Sequence, residues 1–437
     1  MSEGGRRVLI LVENAPVPFD SRVWNESRTL TAAGHRVVVV SPKEKDRDTE
    51  PYRDTEPYVE LESVQIYRFP LRFAHSGPGY ALEYGLALWH SLRILLRLRR
   101  QEPIDVVHIC NPPDLMIFAA LPLKLLGSRL VFDQHDLVPE LYLSRFPDGP
   151  RFIYRVLTVL ERLTYAMADA VIVTNESYQS IALHRGKVAP ERVFVVRNGP
   201  DLDRFVPVQP DPSLKRGKDH LVCYLGVMGH HDGVDYALRA LARLRHGIGR
   251  TDFHAAFIGS GDAFESCVAL ARQLELGDCV EFTGRVPDEV VQRYLSTADI
   301  CLSPDPHSPL NDVSTMTKIM EYMSMSCPIV SFDLAESRVS AGESAVYARN
   351  DDEDEFARLI AELLDAPSRR AEMGATGRRR IEQSLSWSAS RQRLLEAYDY
   401  VLSHRSRNEV RSRRLLRLVP GLAVHEDGHD DRRSRRT

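Results

Sequence analysis

The chain has 437 residues, 43% hydrophobic and 27% charged, with a formal net charge of −4. That length exceeds one ordinary core and implies two domains plus extras. The near balance of acids and bases excludes the strongly basic composition of a general nucleic-acid binder, so no nucleic-acid partner is expected. Cys110, Cys223, Cys267, Cys279, Cys301 and Cys327 form no CxxC pair and sit in apolar surroundings. They read as reduced core thiols of a cytoplasmic protein, not as disulfides or a metal site. The first apolar run is too short for a signal peptide, and "LMIFAALPLKLL" is broken by Pro122 and Lys124, so no membrane span is expected.

In chain order, "RRVLILVE" predicts a buried strand, "VWNESRTLTAAGH" a helix stopped by Gly34, and "RVVVVSP" the next strand, a βαβ unit with parallel strands. The duplicated hexapeptide "RDTEPYRDTEPY" (47–58) reads as a solvent loop without chemistry. Strand "VQIYRFP", the long helix "ALEYGLALWHSLRILLRLRRQE", strand "IDVVHICN", helix "DLMIFAALPLKLLG", strand "RLVFDQHD", helix "FIYRVLTVLERLTYAMA" and strands "DAVIVTN" and "ERVFVVRNG" follow. A Pro-rich, charged linker precedes a second run. Strands "HLVCYLGV", "FHAAFIGSGD", "CVEFTGRV" and "DICLSP" alternate there with helices "DYALRALARLR", "SCVALARQLEL" and "DEVVQRYLSTA". Then come "STMTKIMEYMSMS", "PIVSFD", "SAVYARND", "EFARLIAELLD" and a last amphipathic helix, "SWSASRQRLLEAYDYVLS". The fold class is α/β, two domains in series. The boundaries are 1–205, linker 206–218, 219–385, a helix at 386–404, and an Arg-rich tail at 405–437 expected to be disordered.

The segment "STMTKIMEYMSMSCPIVS" carries the chemistry. Ser314 and Thr315 are N-cap types, and a helix N-terminus with free N–H groups binds anions. Lys318, one turn in, adds a full charge, and Glu321 lies on nearly the same face. Met316, Ile319, Met320 and Met323 can pack inward. Such an end can hold a diphosphate while Glu321 accepts two hydrogen bonds from a ribose diol; a plain Lys318–Glu321 salt bridge is the alternative. Gly226, Gly229, Gly259 and Gly261 close other strand-end turns and permit backbone approach to phosphate, although tight turns need glycine anyway. His135 reads either as a sugar-binding group or as a packed loop histidine.

With "PFDSRVWNESRTLTAAGHRVVVVSP", "FDQHDLVPE", "VIVTNESY", "VFVVRNGPDLDRF", "FIGSGD", "VEFTGRVP", "ADICLSP" and "KIMEYMSMSCPIVS", residues 7 to 403 resemble a retaining GT-B glycosyltransferase of the family 4-like, group 1 type. The resemblance implies two Rossmann-like domains facing a cleft, the last helix crossing back to the first. It implies a UDP- or GDP-sugar donor, a glycan, lipid-linked or small-molecule hydroxyl acceptor, polysaccharide or glycoconjugate biosynthesis, and no cofactor or bound metal. Glu321 matches the ribose-binding glutamate, and Lys318 with Ser314, Thr315 and Met316 the diphosphate site. Arg285 and Val286 fall where backbone meets the base. His135 and Asp136 face the donor sugar, and Asp20, Ser21, Arg22 and Asp136 belong to the acceptor side.

Two departures stand out. The loop "GVMGHHDG" carries no Arg or Lys where relatives have both, and Val313 stands where relatives carry an acid. Asp312 is expected to replace that acid, with Asn311 next. Arg93, Arg97 and Arg100, at i, i+4 and i+7, read either as a solvated face or as a contact with an anionic membrane, which would place the enzyme peripherally at the inner face of the plasma membrane. Rival functions are a GT-B nucleotide-sugar epimerase or hydrolase, and a non-catalytic sugar-nucleotide-binding subunit. A dehydrogenase is disfavoured, since no GxGxxG with an acidic ribose partner is present.

Overall fold

The computed structural model describes residues 5–43, 56–71, 77–229 and 231–403. Its first sheet holds β1 (Arg7–Leu11), β2 (Arg36–Pro42), β3 (Tyr58–Leu61), β4 (Val64–Phe69), β5 (Val106–Cys110), β6 (Arg129–Gln134), β7 (Ala170–Val173) and β8 (Val193–Val195). The order is β3-β4-β2-β1-β5-β6-β7-β8. The second sheet holds β9 (His220–Leu225), β10 (Phe253–Ile258), β11 (Val280–Gly284), β12 (Ile300–Ser303), β13 (Ile329–Phe332) and β14 (Ala345–Ala348), in the order β11-β10-β9-β12-β13-β14. All pairs are parallel except β3 with β4. The Val- and Ile-rich runs explain this: β1, β7 and β13 are buried at every residue, as strands covered on both faces must be.

Neighbouring residues of β1 divide the first core. Leu9 joins Leu95, Leu98, Ile117 and Leu123 of helices Gly77–Gln101 and Ile117–Leu125 on one face. Ile10 joins Val23 and Leu30 of helix Ser21–Ala32 and Leu394 and Tyr398 of helix Trp387–Ser403 on the other. The C-terminal helix therefore crosses back and completes the core of the first sheet, as expected from the sequence. All six cysteines are buried and free. Among the described residues no helix is long and apolar enough to cross a membrane.

Some elements differ from the sequence-based expectation. β3 pairs antiparallel at the sheet edge with no buried residue, so it lacks an apolar signature; residues 47–55 of the repeat and the Arg-rich tail lie outside the described residues. Helix Pro367–Arg380 is polar and buries only Met373, Gly374 and Gly377, which leaves no periodicity to read.

Candidate active site

The carboxyl ends of the two sheets face each other, and the turn after β12 holds them together. Asn175 Nδ2 donates to Val313 O (2.9 Å) and Thr315 Oγ1 (3.0 Å), and Tyr178 OH lies 2.9 Å from Ser314 Oγ. Leu310 and Val313 pack with Leu137 and Tyr178 of the first domain. Elsewhere along the cleft, the exposed Arg285 guanidinium stacks 4.0 Å above the Phe19 ring in the loop after β1. Val286 packs into the second-domain core.

The helix bearing Lys318 and Glu321 spans Thr317–Ser324. Its buried Ile319, Met320, Tyr322 and Met323 anchor it. Tyr322 OH accepts from Leu225 N (2.7 Å) and donates to Leu302 O (3.0 Å), which ties the helix to β9 and β12. The half-buried Glu321 carboxyl has no hydrogen-bond or ion-pair partner among the described residues. Burial, with Asp288 nearby, pushes its pKa up to about 7 against the pull of Arg204 and Lys318. Carboxylate oxygens without donors suit a ligand that brings hydroxyls.

Ser314 and Thr315 do not cap this helix, contrary to expectation. The cap position is Met316, with no side-chain bond, because the chain stays extended through Ser314 and Met316. Ser314 Oγ donates to Leu310 O (2.8 Å) and Thr315 Oγ1 to Glu336 Oε1 (3.2 Å), so both hydroxyls fasten the turn between the domains.

Lys318 is buried and already paired. Its Nζ donates to Asp305 Oδ1 (2.6 Å) and lies 5.2 Å from the Tyr224 ring centroid. Burial opposes the charge, but Asp305, Tyr224 and Asp232 outweigh it and raise the pKa, so the ammonium stays protonated. A Cβ on Gly226 (φ +152°) would lie 3.3 Å from Lys318 Cε, so this loop rests on the lysine. Gly259 and Gly261 are needed for loop-to-loop packing. A Cβ on the first would lie 2.0 Å from Gly226 O, and on the second 2.5 Å from Met228 O. Gly229 N donates to Asp232 Oδ2 (2.8 Å).

Asp312 Oδ1 accepts from Ala335 N (2.9 Å) at the start of helix Ala335–Ala341. Asn311 is buried and clamps His231 O (3.0 Å) and Pro306 O (2.9 Å). The placement of Asp312 favours a cap. Asp312→Ala is expected to cost about 1 kcal/mol of stability and to leave kcat/KM within about threefold, roughly 0.65 kcal/mol. A tenfold loss of kcat/KM with an unchanged melting temperature would return Asp312 to the donor site.

On the first domain, Asp20 Oδ1 caps helix Ser21–Ala32 through Val23 N (3.1 Å), and Ser21 is exposed at its first position. Arg22, expected in a loop that closes over substrate, is instead buried beneath the cleft because the helix has already begun and turns it inward. It donates to both Asp133 oxygens (2.9 and 2.6 Å), to Val196 O (2.7 Å) and to Asn198 Oδ1 (2.6 Å). Asp133 Oδ2 also lies 2.6 Å from His135 Nε2. Asn111 grips the same loop: its Oδ1 accepts from the N of His135 (2.7 Å) and Asp136 (3.2 Å), and its Nδ2 donates to Asp136 O (2.8 Å). His135 is thus presented in one orientation, with Nδ1 the ring nitrogen left without a partner among the described residues. Burial raises the Asp136 pKa, and His135 and His231 offset it, so His231 belongs to the cleft and lies in the loop that lacks Arg and Lys.

Glu26, His108, Cys110 and Asp133 each place one ligand-type atom within 4.8 Å of the others. Asp133 already accepts from Arg22 and lies in hydrogen-bond contact with His135, so it centres a buried charge cluster in which Glu26 lies 3.3 Å from Arg22 and His108 3.5 Å from both Glu26 and Asp133. Burial works to raise Asp133, but Arg22 and His135 outweigh it and hold it well below the usual range. Burial and Asp133 push Glu26 well above its usual range despite Arg22. Burial lowers His108, whose Nδ1 lies 2.9 Å from Tyr398 OH of the C-terminal helix. Sequence reasoning missed Asp133, Glu26 and His108. For His108 and Asp133 the signal was a polar residue at a period-2 core position of "VVHIC" and "RLVFDQ"; Glu26, on the buried face of helix Ser21–Ala32 one turn after Arg22, had only that i,i+4 spacing.

Residues 20–199 match the family model described as a glycosyl transferase 4-like domain, and residues 219–366 that of glycosyl transferases group 1. The chain is 24% identical over 320 residues to the human alpha-1,3/1,6-mannosyltransferase ALG2, covering 69% of this chain and 73% of that one. Among solved structures, sucrose-phosphate synthase from Thermosynechococcus elongatus aligns with a TM-score of 0.74 at 17% identity, covering 91% of this chain and 99% of the other. Anabaena HepE in complex with UDP-glucose aligns at 0.66 and 15% identity, covering 90% and 99%. With both halves matched and the two-sheet cleft in place, the chain belongs to the GT-B glycosyltransferases of the 4-like and group 1 type.

Proposed function

We propose that this glycosyltransferase binds a UDP- or GDP-sugar between its sheets and transfers the sugar, with retention and without a bound metal, to a hydroxyl of a glycan, lipid-linked or small-molecule acceptor. The observation that carries the reading is Glu321, a half-buried carboxyl without a partner among the described residues, at the ligand-binding edge of a parallel sheet. Glu321 takes the ribose diol, and the first N–H groups of helix Thr317–Ser324 take the diphosphate. Lys318 supports the diphosphate charge from beneath. His135 meets the sugar, and Asp20 and Asp136 line the acceptor side. Catalysis then rests on donors placed before the diphosphate charge develops. Arg93, Arg97 and Arg100 are exposed on helix Gly77–Gln101, which supports a cytoplasmic enzyme peripheral to the membrane.

Titration with UDP, GDP and their sugars in EDTA tests the proposal, with the anomeric proton of the product followed by NMR. One nucleoside diphosphate should bind, EDTA should leave turnover largely intact, and the configuration should be retained. An inverted product or a strict need for a divalent ion would overturn it.

Lys318 and Asp305 call for a paired test. Lys318→Ala leaves a buried carboxylate unpaired, so both melting temperature and kcat should fall. Adding Asp305→Ala should restore the melting temperature but not kcat, which should remain down by about tenfold or more, roughly 1.4 kcal/mol. If the double variant regains both, Lys318 serves only to neutralise Asp305.

A further inference from the structure

Helix Arg151–Met167 carries apolar residues on its outer face as well as its inner one, unlike a helix that only covers a sheet. Its buried residues are Glu161, Thr164 and Tyr165, and each bonds within the domain. Arg185 donates to Glu161 Oε1 (2.7 Å), and Tyr165 OH donates to Gln134 Oε1 (2.7 Å). Ile153, Leu157 and Leu160 are half-buried, but four large apolar residues point outward: Phe152 is 65% exposed, Val156 52%, Val159 54% and Leu163 44%. They recur at i, i+4, i+7 and i+11, one continuous stripe. Singly exposed apolar residues are ordinary, but a contiguous stripe marks an interaction site.

Arg151, Arg155 and Arg162 are exposed along the same stripe, and none has an acidic partner among the described residues. No acid is exposed on this helix, whose one glutamate is buried. The face continues sideways. Lys124 Nζ donates to Asp169 (2.8 Å) just past the helix end, which brings up Leu125 and Leu126, both largely exposed. Helix Gly77–Gln101, with its own arginine row, packs against helix Ile117–Leu125 on this side of the sheet.

We propose that this face docks on an anionic lipid bilayer, with the stripe of helix Arg151–Met167 entering the headgroup boundary and its arginines meeting lipid phosphates. A stripe of apolar residues flanked by unpaired arginines is the composition of an interfacial helix. A second copy fits poorly: a twofold contact would set the arginine row against itself with no acid to balance it. The placement matters for acceptor access. The helix runs antiparallel to the strands, so Phe152 lies nearest the cleft, one short helix (Val138–Arg145) beyond His135 and Asp136. A lipid-linked acceptor could then enter from the bilayer; that step alone rests on the transferase reading, whereas docking does not.

The test is sedimentation of the full chain, without sugar nucleotide, with vesicles of phosphatidylglycerol and phosphatidylcholine or of phosphatidylcholine alone. The protein should partition onto the anionic vesicles and release as salt rises. Phe152→Ser with Val159→Asn, and separately Arg155→Glu with Arg162→Glu, should each lower partitioning by about tenfold or more, with circular dichroism and nucleotide affinity unchanged. A wild type that stays in the supernatant of both vesicle types overturns the proposal. So does wild-type partitioning by both helix Arg151–Met167 variants while substitution of Arg93, Arg97 and Arg100 releases the protein, or a dimer in light scattering that the Phe152→Ser, Val159→Asn variant converts to monomer.

Discussion

Glu321→Ala is expected to weaken nucleoside diphosphate binding by about 10²-fold, because two hydrogen bonds to a charged acceptor, each worth roughly 1.5–3 kcal/mol, are lost together. Glu321→Gln keeps one acceptor oxygen and should lose at least about tenfold, roughly 1.4 kcal/mol. The same substitution should make the unliganded protein more heat-stable at pH 8. Burial raises the Glu321 pKa from 4.5 to about 7, so the folded state prefers the protonated form. That preference is fully present below the unfolded value and is lost as pH rises through about 7, where the ionised carboxyl becomes a burden on the order of 1–3 kcal/mol. Gln removes the burden, so the variants should separate at pH 8 and converge at pH 5. Nucleotide affinity of the wild type should rise with pH through the same range, since the ligand wants the carboxylate, while the Gln variant should stay flat. Calorimetric titration from pH 5 to 8 reads both. Unchanged affinity in a folded Glu321→Gln protein would remove this residue from the donor site.

The second large effect is expected at Arg22. Arg22→Met should cost about 3–5 kcal/mol of stability in urea unfolding, because it strands the buried Asp133 charge beside Glu26. Arg22→Met with Asp133→Asn should recover much of it, since a neutral amide has no charge to strand. The acceptor-side role expected from the sequence predicts the reverse: normal unfolding and a raised acceptor KM. A folded Arg22→Met enzyme with wild-type stability would restore that role.

Much of the architecture was legible because parallel strands buried on both faces are written as unbroken runs such as "RVVVV" and "AVIV". Glu321 was legible for a related reason, a charge in a methionine-rich helix that local packing does not explain. Ser314 and Thr315 were misread as caps because their partners, Tyr178 and Asn175, lie 136 and 140 residues away, and no local pattern carries that distance. Asp133 stayed hidden beside the more conspicuous His135 and Asp136, since a polar residue at an inward strand position makes sense only once Arg22 of another element is seen against it. The glycines were recognised as loop residues, but whether they serve a ligand or a neighbouring backbone depends on atoms from two different turns.

The helix Trp387–Ser403 has a consequence for biosynthesis. It covers one face of a sheet whose last strand ends at Val195, almost two hundred residues earlier. On the ribosome the β6–β8 part of the first sheet therefore emerges with Val131 and Ile172 short of their cover, while helix Ser21–Ala32 already covers Ile10, and the second domain, whose sheet is closed by its own helices, can fold at once. The first half of this enzyme is finished last, and a nascent chain stopped before Trp387 presents the half-covered apolar face of β6 to β8 to whatever chaperone waits at the exit tunnel.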